Sequence, residues 1–313
     1  MATEADSVAT SRRLSSDFQA KLSTFNSDSI VDGGKRVIEK YKNNGNNNKL
    51  RISNVSLSGF TSNGAGGSLY FEGFSEVHLD GVMFLNNRAS EGGAVYITNS
   101  SLVTFTSCVF RNCQSAGAGG AIFLKNVDTV IIEGSTFANN FAGSTGGAVV
   151  TENCNIVRVK NSIFSSNTAS YHGGAISISR VTNEVQIKES TFISNSAFYG
   201  SSIAMGESMN ISIARNSFSH NVQQSGATVY WITRYYDSIV QGLAGFLKQS
   251  GIDQWHKPSM EPPVLWVNNV FTHNTEDGVL CTKNISTEVV SSSTEPGIIT
   301  LQDYTYGARP LKV

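Results

Sequence analysis

Short alternations of apolar and polar residues return along this chain at a nearly constant stride. Five glycine pairs mark it: Gly66-Gly67, Gly92-Gly93, Gly119-Gly120, Gly146-Gly147 and Gly173-Gly174. Their second glycines lie 26, 27, 27 and 27 residues apart, and degenerate copies follow at Gly200-Ser201 and Gly226-Ala227. Two residues beyond each second position stands an aliphatic: Leu69, Val95, Ile122, Val149, Ile176, Ile203 and Val229. Four beyond stand Phe71, Ile97, Leu124, Thr151, Ile178, Met205 and Trp231. This period of two predicts a strand with one buried face. A second such strand precedes a recurrent phenylalanine, with apolar residues seven and five positions before it: Val77 and Leu79, Val103 and Phe105, Val130 and Ile132, Val157 and Val159, Val185 and Ile187, Ile211 and Ile213. The phenylalanine itself falls in a third strand. Three strands and three turns in some 27 residues leave no room for a helix.

The phenylalanine belongs to a second periodic motif, Phe-x-x-Asn, starting at Phe60, Phe84, Phe137, Phe164, Phe192, Phe218 and Phe271; after Phe110 the asparagine is replaced by Cys113. Two motifs in phase at this period predict a solenoid. Each strand can pair only with its counterpart in the next coil, which predicts an all-β parallel β-helix of seven to eight coils rising about 4.8 Å per coil. Like residues then stack. Phe84, Phe110, Phe137, Phe164, Phe192 and Phe218 form an internal column, and Asn87, Asn140, Asn167, Asn195 and Asn221 a turn ladder interrupted by Cys113. The glycines mark either a left-handed turn or a crowded backbone approach.

Gly-Gly-Ala-Ile/Val together with Phe-x-x-Asn resembles the repeat of chlamydial-type polymorphic outer membrane proteins and of large surface proteins of microbial eukaryotes. The resemblance covers Phe60 to Asn221, with an echo at Phe271 to Asn274. It implies a right-handed, pectin-lyase-like β-helix with an adhesive or surface-structural role. It transfers no catalytic residue.

Solenoid ends expose strand edges and require caps. Residues 1–48 are expected to hold a disordered start, then a short cap helix from Gly34 to Lys42 with Val37, Ile38 and Tyr41 on one side. The β-helix occupies 49–231. Residues 232–262 read as a helical insertion with Ile239, Leu243, Phe246 and Leu247 at helical spacing, packed on the solenoid or docking a partner. The last coils fall in 263–290, and 291–313 begin a following strand or module.

Composition narrows the function. Charged residues make up 15% and the net charge is -1, which argues against a nucleic-acid partner and against a polybasic membrane-surface patch. No transmembrane helix is expected, because no apolar run is long enough. Met1 to Ser15 lacks the apolar core of a signal peptide. The expectation is a piece of a longer extracellular or cell-surface protein, with a cytoplasmic location still open. Sequons at Asn54, Asn99, Asn210 and Asn284 are candidate N-glycosylation sites. Cys108, Cys113, Cys154 and Cys281 have neither a zinc spacing nor a ladder pairing, so free buried thiols are expected and one disulfide stays open.

Function must reside on outward side chains. On the first strand these are Tyr70, Tyr96, Phe123, Val150, Ser177, Ala204 and Tyr230, a flat and rather apolar stripe that predicts an interface with protein or glycan, or self-association. On the second strand Glu133, Arg158, Lys160 and Lys188 cluster. They are the candidate catalytic group if the chain is a polysaccharide lyase or hydrolase acting on an acidic glycan. One carboxylate beside three cations suits a solvated face better. The histidines (His78, His172, His220, His256, His273) show neither a Ser/His/Asp nor a metal-site pattern, so no cofactor and no metal is expected. The leading expectation is a non-catalytic structural or adhesion module; the lyase or hydrolase and a filament subunit are the alternatives.

Overall fold

The computed structural model describes residues 38–42, 49–206, 208, 210–225, 228–232, 264–274, 279–281 and 299–301. All pairing among these strands is parallel and runs from coil to coil, as the period demands. The first and second strands of each coil merge into one 16-stranded sheet, because Val95–Thr106 and Ile122–Glu133 run unbroken through the corner between them. The phenylalanine strands form an eight-stranded sheet from Ser56–Ser58 to Val270–Thr272. A further short sheet, from Arg88–Ala89 to Val222–Ser225, follows the asparagine corner and adds a fourth strand per coil to the three that the alternation reveals.

Register explains the core. Phe84, Phe110, Phe137, Phe164, Phe192, Phe218 and Phe271 stack with ring centroids 4.6–5.0 Å apart and planes within 10° of parallel. The foot of the column is Leu57, paired with Phe84. Phe60 is thus not a member of the column, although Phe-x-x-Asn begins there. It lies beside the ladder, donating its N–H to Asn87 Oδ1 at 2.9 Å.

In the ladder each buried asparagine binds in both axial directions. Asn167 Nδ2 donates to Phe137 O in the coil before and Asn195 Oδ1 in the coil after, while Asn167 Oδ1 accepts from the N–H of Asn140. Buried amides must be satisfied, and this geometry satisfies donor and acceptor together. A second ladder stands two residues before the phenylalanines from Phe110 onward. Cys108 N–H donates to Ser135 Oγ, Ser135 to Ser162, Ser162 to Ser190, Ser190 to Asn216 and Asn216 to Asn269. Both ladders follow a left-handed residue, such as Asn139 (φ 55) before Asn140 or Asn161 (φ 50) before Ser162. A corner is therefore one left-handed residue outside and one hydrogen-bonding residue inside.

The glycine pair makes another corner, and its two members have different reasons. Gly146 has φ 63. Gly147 needs no unusual φ; a Cβ there would lie 2.0 Å from Gly174 O.

The helix expected over 34–42 is corrected for residues 38–42. Ile38–Lys42 is a strand and pairs in parallel with Leu69–Glu72. The edge of the first coil offers unpaired N–H and C=O groups, and an added strand satisfies them where a helix could not. The rest of the cap and the disordered start lie outside the described residues. So does the body of the insertion, including Ile239, Leu243, Phe246 and Leu247. Its position is set by register: Ile203–Gly206 pairs with Val229–Ile232, and Ile211–Ala214 with Val264–Val267. The extra chain therefore enters at the corner between first and second strands, and the coils resume in register after it. Ile299–Leu301, expected to open a following strand or module, pairs with Val279–Cys281 and extends the first sheet.

Candidate functional site

The outward stripe of the first sheet is built by pairing Tyr70 with Tyr96 and Tyr96 with Phe123 in register. The rings stack at 5.2 Å, with interplanar angles of 7° and 13°. Rings this close cover one another's faces and leave no gap for a sugar between them. Tyr70 Oη lies 3.5 Å from Glu72 Oε2. Burial, with Glu91, Tyr70 and the Glu152 and Glu72 carboxylates nearby, pushes the Tyr96 hydroxyl up to about 12, so it stays a donor at any physiological pH.

Of the larger side chains in this stripe, Tyr70 and Tyr96 are half-buried, but Phe123, Val150 and Tyr230 are only 5%, 5% and 4% exposed. They correct the expectation of an open stripe along the whole sheet. The glycine turn packs closely against the stripe. A Cβ on Gly146 would lie 2.4 Å from Val150 Cγ2, and one on Gly200 3.0 Å from Tyr230 Cβ. Tyr230 also stacks on Tyr199 at 5.0 Å, and Tyr199 on His172 at 5.5 Å. With Tyr171 (58% exposed) and Phe198 (37%) they make a second aromatic group. Sequence reasoning missed it. Its signal was a 27-residue repeat of aromatics just before the glycine pair, at Tyr171-His172 and Phe198-Tyr199.

On the second strand the structure does bring Glu133, Lys160 and Lys188 into one row of adjacent coils, with Arg158 two residues away. Both Arg158 and Lys160 are engaged by carboxylates that the sequence reading passed over. Glu184 grips Arg158 in a fork, with Nη2 to Oε2 at 2.5 Å and Nε to Oε1 at 3.4 Å. That contact holds the guanidinium above its ordinary value. Lys160 pairs with Glu189 at 3.6 Å, and Glu189 also takes Arg215 at 2.5 Å. Hydrogen bonding from Arg215, chiefly, keeps the Glu189 carboxyl below its usual range. These pairs are solvent-screened and individually worth little. Among the described residues no three His, Cys, Asp or Glu side chains converge on a point that could hold a metal ion.

Asn54, Asn99 and Asn210 all stand exposed at left-handed corners, with φ of 49–53°; Asn284 lies outside the described residues. Cys108, Cys113 and Cys154 are free and buried. Cys108 and Cys113 each take a ladder position, and Cys154 follows a left-handed asparagine, Asn153, at the corner between first and second strands. Desolvation pushes them up to about 11, 12 and 11. A thiol reagent is therefore expected to modify these three only as fast as the coils open, and peptide mapping of a labelling time course checks it. Prompt native-state labelling of Cys113 would contradict the ladder placement. The side chain of Cys281 lies outside the described residues.

Among the described residues no helix is long and apolar enough to cross a membrane. A family model described as "Right handed beta helix region" matches residues 41–218, more than half of the chain. No curated protein and no solved structure matches it.

Proposed function

The chain belongs to the right-handed β-helix family, and from that premise we propose that it is a non-catalytic structural or adhesion module of a longer, surface-exposed protein. The observation that carries this reading is the state of the candidate catalytic row. Arg158 and Lys160 are tied coil to coil by Glu184 and Glu189, and so are engaged in pairs that do not involve a substrate. The pairing occupies both cations, and the row Glu133, Lys160 and Lys188 with Arg158 holds a single carboxylate, where hydrolysis needs two that face each other. The Tyr70–Tyr96 edge then serves as the recognition surface, flat and bearing hydroxyls, suited to another protein more than to the face of a sugar. The repeat's likeness to the polymorphic outer membrane type supports display at a cell surface, and the exposed corner sequons Asn54, Asn99 and Asn210 are accessible there.

Two measurements test this. Uronate polymers incubated with the purified protein and calcium are expected to show no lyase turnover; turnover that disappears in Lys160→Ala would replace this reading with the enzymatic one. Antibody against the solenoid is expected to label intact cells of the source organism, and labelling only after permeabilisation would remove the surface assignment.

A further inference from the structure

His220 and His273 occupy consecutive rungs of one left-handed corner column. Both have φ 55, and both are exposed. Their rings face each other with centroids 5.1 Å apart and planes 11° from parallel. The backbone beneath them is fixed: His220 N–H donates to Thr272 O at 3.1 Å, and the neighbouring Asn221 and Asn274 are locked in the buried ladder through Asn221 Nδ2 to Asn274 Oδ1 at 2.8 Å. Below them the same column carries Ser194, Ser166 and Asn139, so among the described residues these two are the histidines of the column. Although they are adjacent in space, 53 residues separate them, because the inserted chain between Ile232 and Val264 intervenes.

We propose that His220 and His273 form a two-imidazole site for a late first-row divalent cation, Zn2+ or Cu2+, which joins the coil before the insertion to the coil after it. Imidazole nitrogen is the ligand these cations take at about 2.0–2.1 Å, and two nitrogens on a tetrahedral ion stand about 3.4 Å apart. Face-to-face rings on solvent-exposed side chains reach that separation by tilting their nitrogen-bearing edges together, without moving the backbone. Water fills the remaining positions. The site sits where a cross-link has the most to contribute: the coil it closes carries the longest excursion in the solenoid, and loop-closure entropy grows with length. Left-handed corners readily take asparagine, as Asn86, Asn112 and Asn139 do in this column. The pair can therefore be removed without unfolding the corner.

The test uses the full chain, without a histidine tag, titrated with Zn2+ and separately with Cu2+ by calorimetry. Copper should bind the more tightly. His220→Asn and His273→Asn should each abolish the isotherm, while His78→Asn leaves it unchanged. Hydrogen exchange with Zn2+ gives an independent readout. At a concentration 100 times Kd, opening of residues 264–274 relative to the preceding coil should slow by about a hundredfold, with Mg2+ having no effect. An isotherm that survives both substitutions, or binding without added protection over 264–274, overturns the proposal.

Discussion

Gly147→Ala is expected to cost about 3 kcal/mol or more, an overpacking penalty at the upper end of its kind. The new Cβ would meet Gly174 O at 2.0 Å and the Thr168 backbone at 2.7 Å, and both obstacles are main chain. Neither can retreat, because the coil that carries them is hydrogen-bonded on both sides: Gly147 N–H donates to Gly173 O, and Gly174 N–H to Gly200 O. The comparison is Gly134→Ala. Gly134 has φ 58, and its nearest obstacle is Ser107 Oγ at an ordinary 3.6 Å. Only the left-handed strain remains there, about 1–2 kcal/mol, and Gly134→Asn should recover most of it, since Ser107 and Asn161 hold the same place in neighbouring coils. Urea midpoints of the three variants check the order. Equal losses at Gly147 and Gly134 would mean that crowding is not what the second glycine avoids.

Phe164→Ala is expected to cost about 3–5 kcal/mol, the range for truncating a buried phenylalanine. Phe164 is fully buried, and its ring stacks on Phe137 at 4.7 Å and on Phe192 at 5.0 Å. The alanine leaves a gap across the axis that rigid neighbouring coils cannot close. Phe164→Leu should cost about 1.5 kcal/mol or less, as swaps that nearly conserve volume do, because Leu57 already fills one rung of this column. In a solenoid the damage stays near the lesion. Hydrogen exchange should therefore show lost protection first over residues 137–192, and a uniform loss along the whole molecule would contradict nearest-neighbour stacking.

What could be read from the sequence was whatever repeats by identity. The alternations around Ile122 and Val130, the phenylalanine column and the asparagine ladder all lie where the period places them, because each coil needs the same residue at the same height. Positions that repeat by role while changing in kind were opaque. The second ladder passes from Cys108 through serines to Asn216 and Asn269, all of which accept the N–H of the coil below or continue that path, yet no single letter marks it. The left-handed corners take Gly59, Asn86, Ser166 and His220 in turn for the same reason. Phe60 shows the opposite case: it has the letters of the motif but lies 24 residues before Phe84, and Leu57 holds the rung. Tyr41 and Ile38 have a spacing that suits a helix, and only the open edge of the first coil makes them a strand. On the surface, the alternation identified Phe123 and Val150 as outward, but alternation gives only the side of the sheet, and both are 5% exposed. The carboxylates that bind Arg158 and Lys160 were hidden because an ion pair between coils separates its partners by a whole repeat.

Every hydrogen bond that joins one coil to the next points along the long axis of the molecule. A force applied between its two ends would pull on those bonds head-on and not in shear. Coils would peel away singly at modest load, each paying out roughly 27 residues, about 90 Å of contour at 3.3–3.6 Å per residue. Held at both ends, such a module would act as an extensible tether that lengthens in near-equal steps, with one longer step where the chain between Ile232 and Val264 is released.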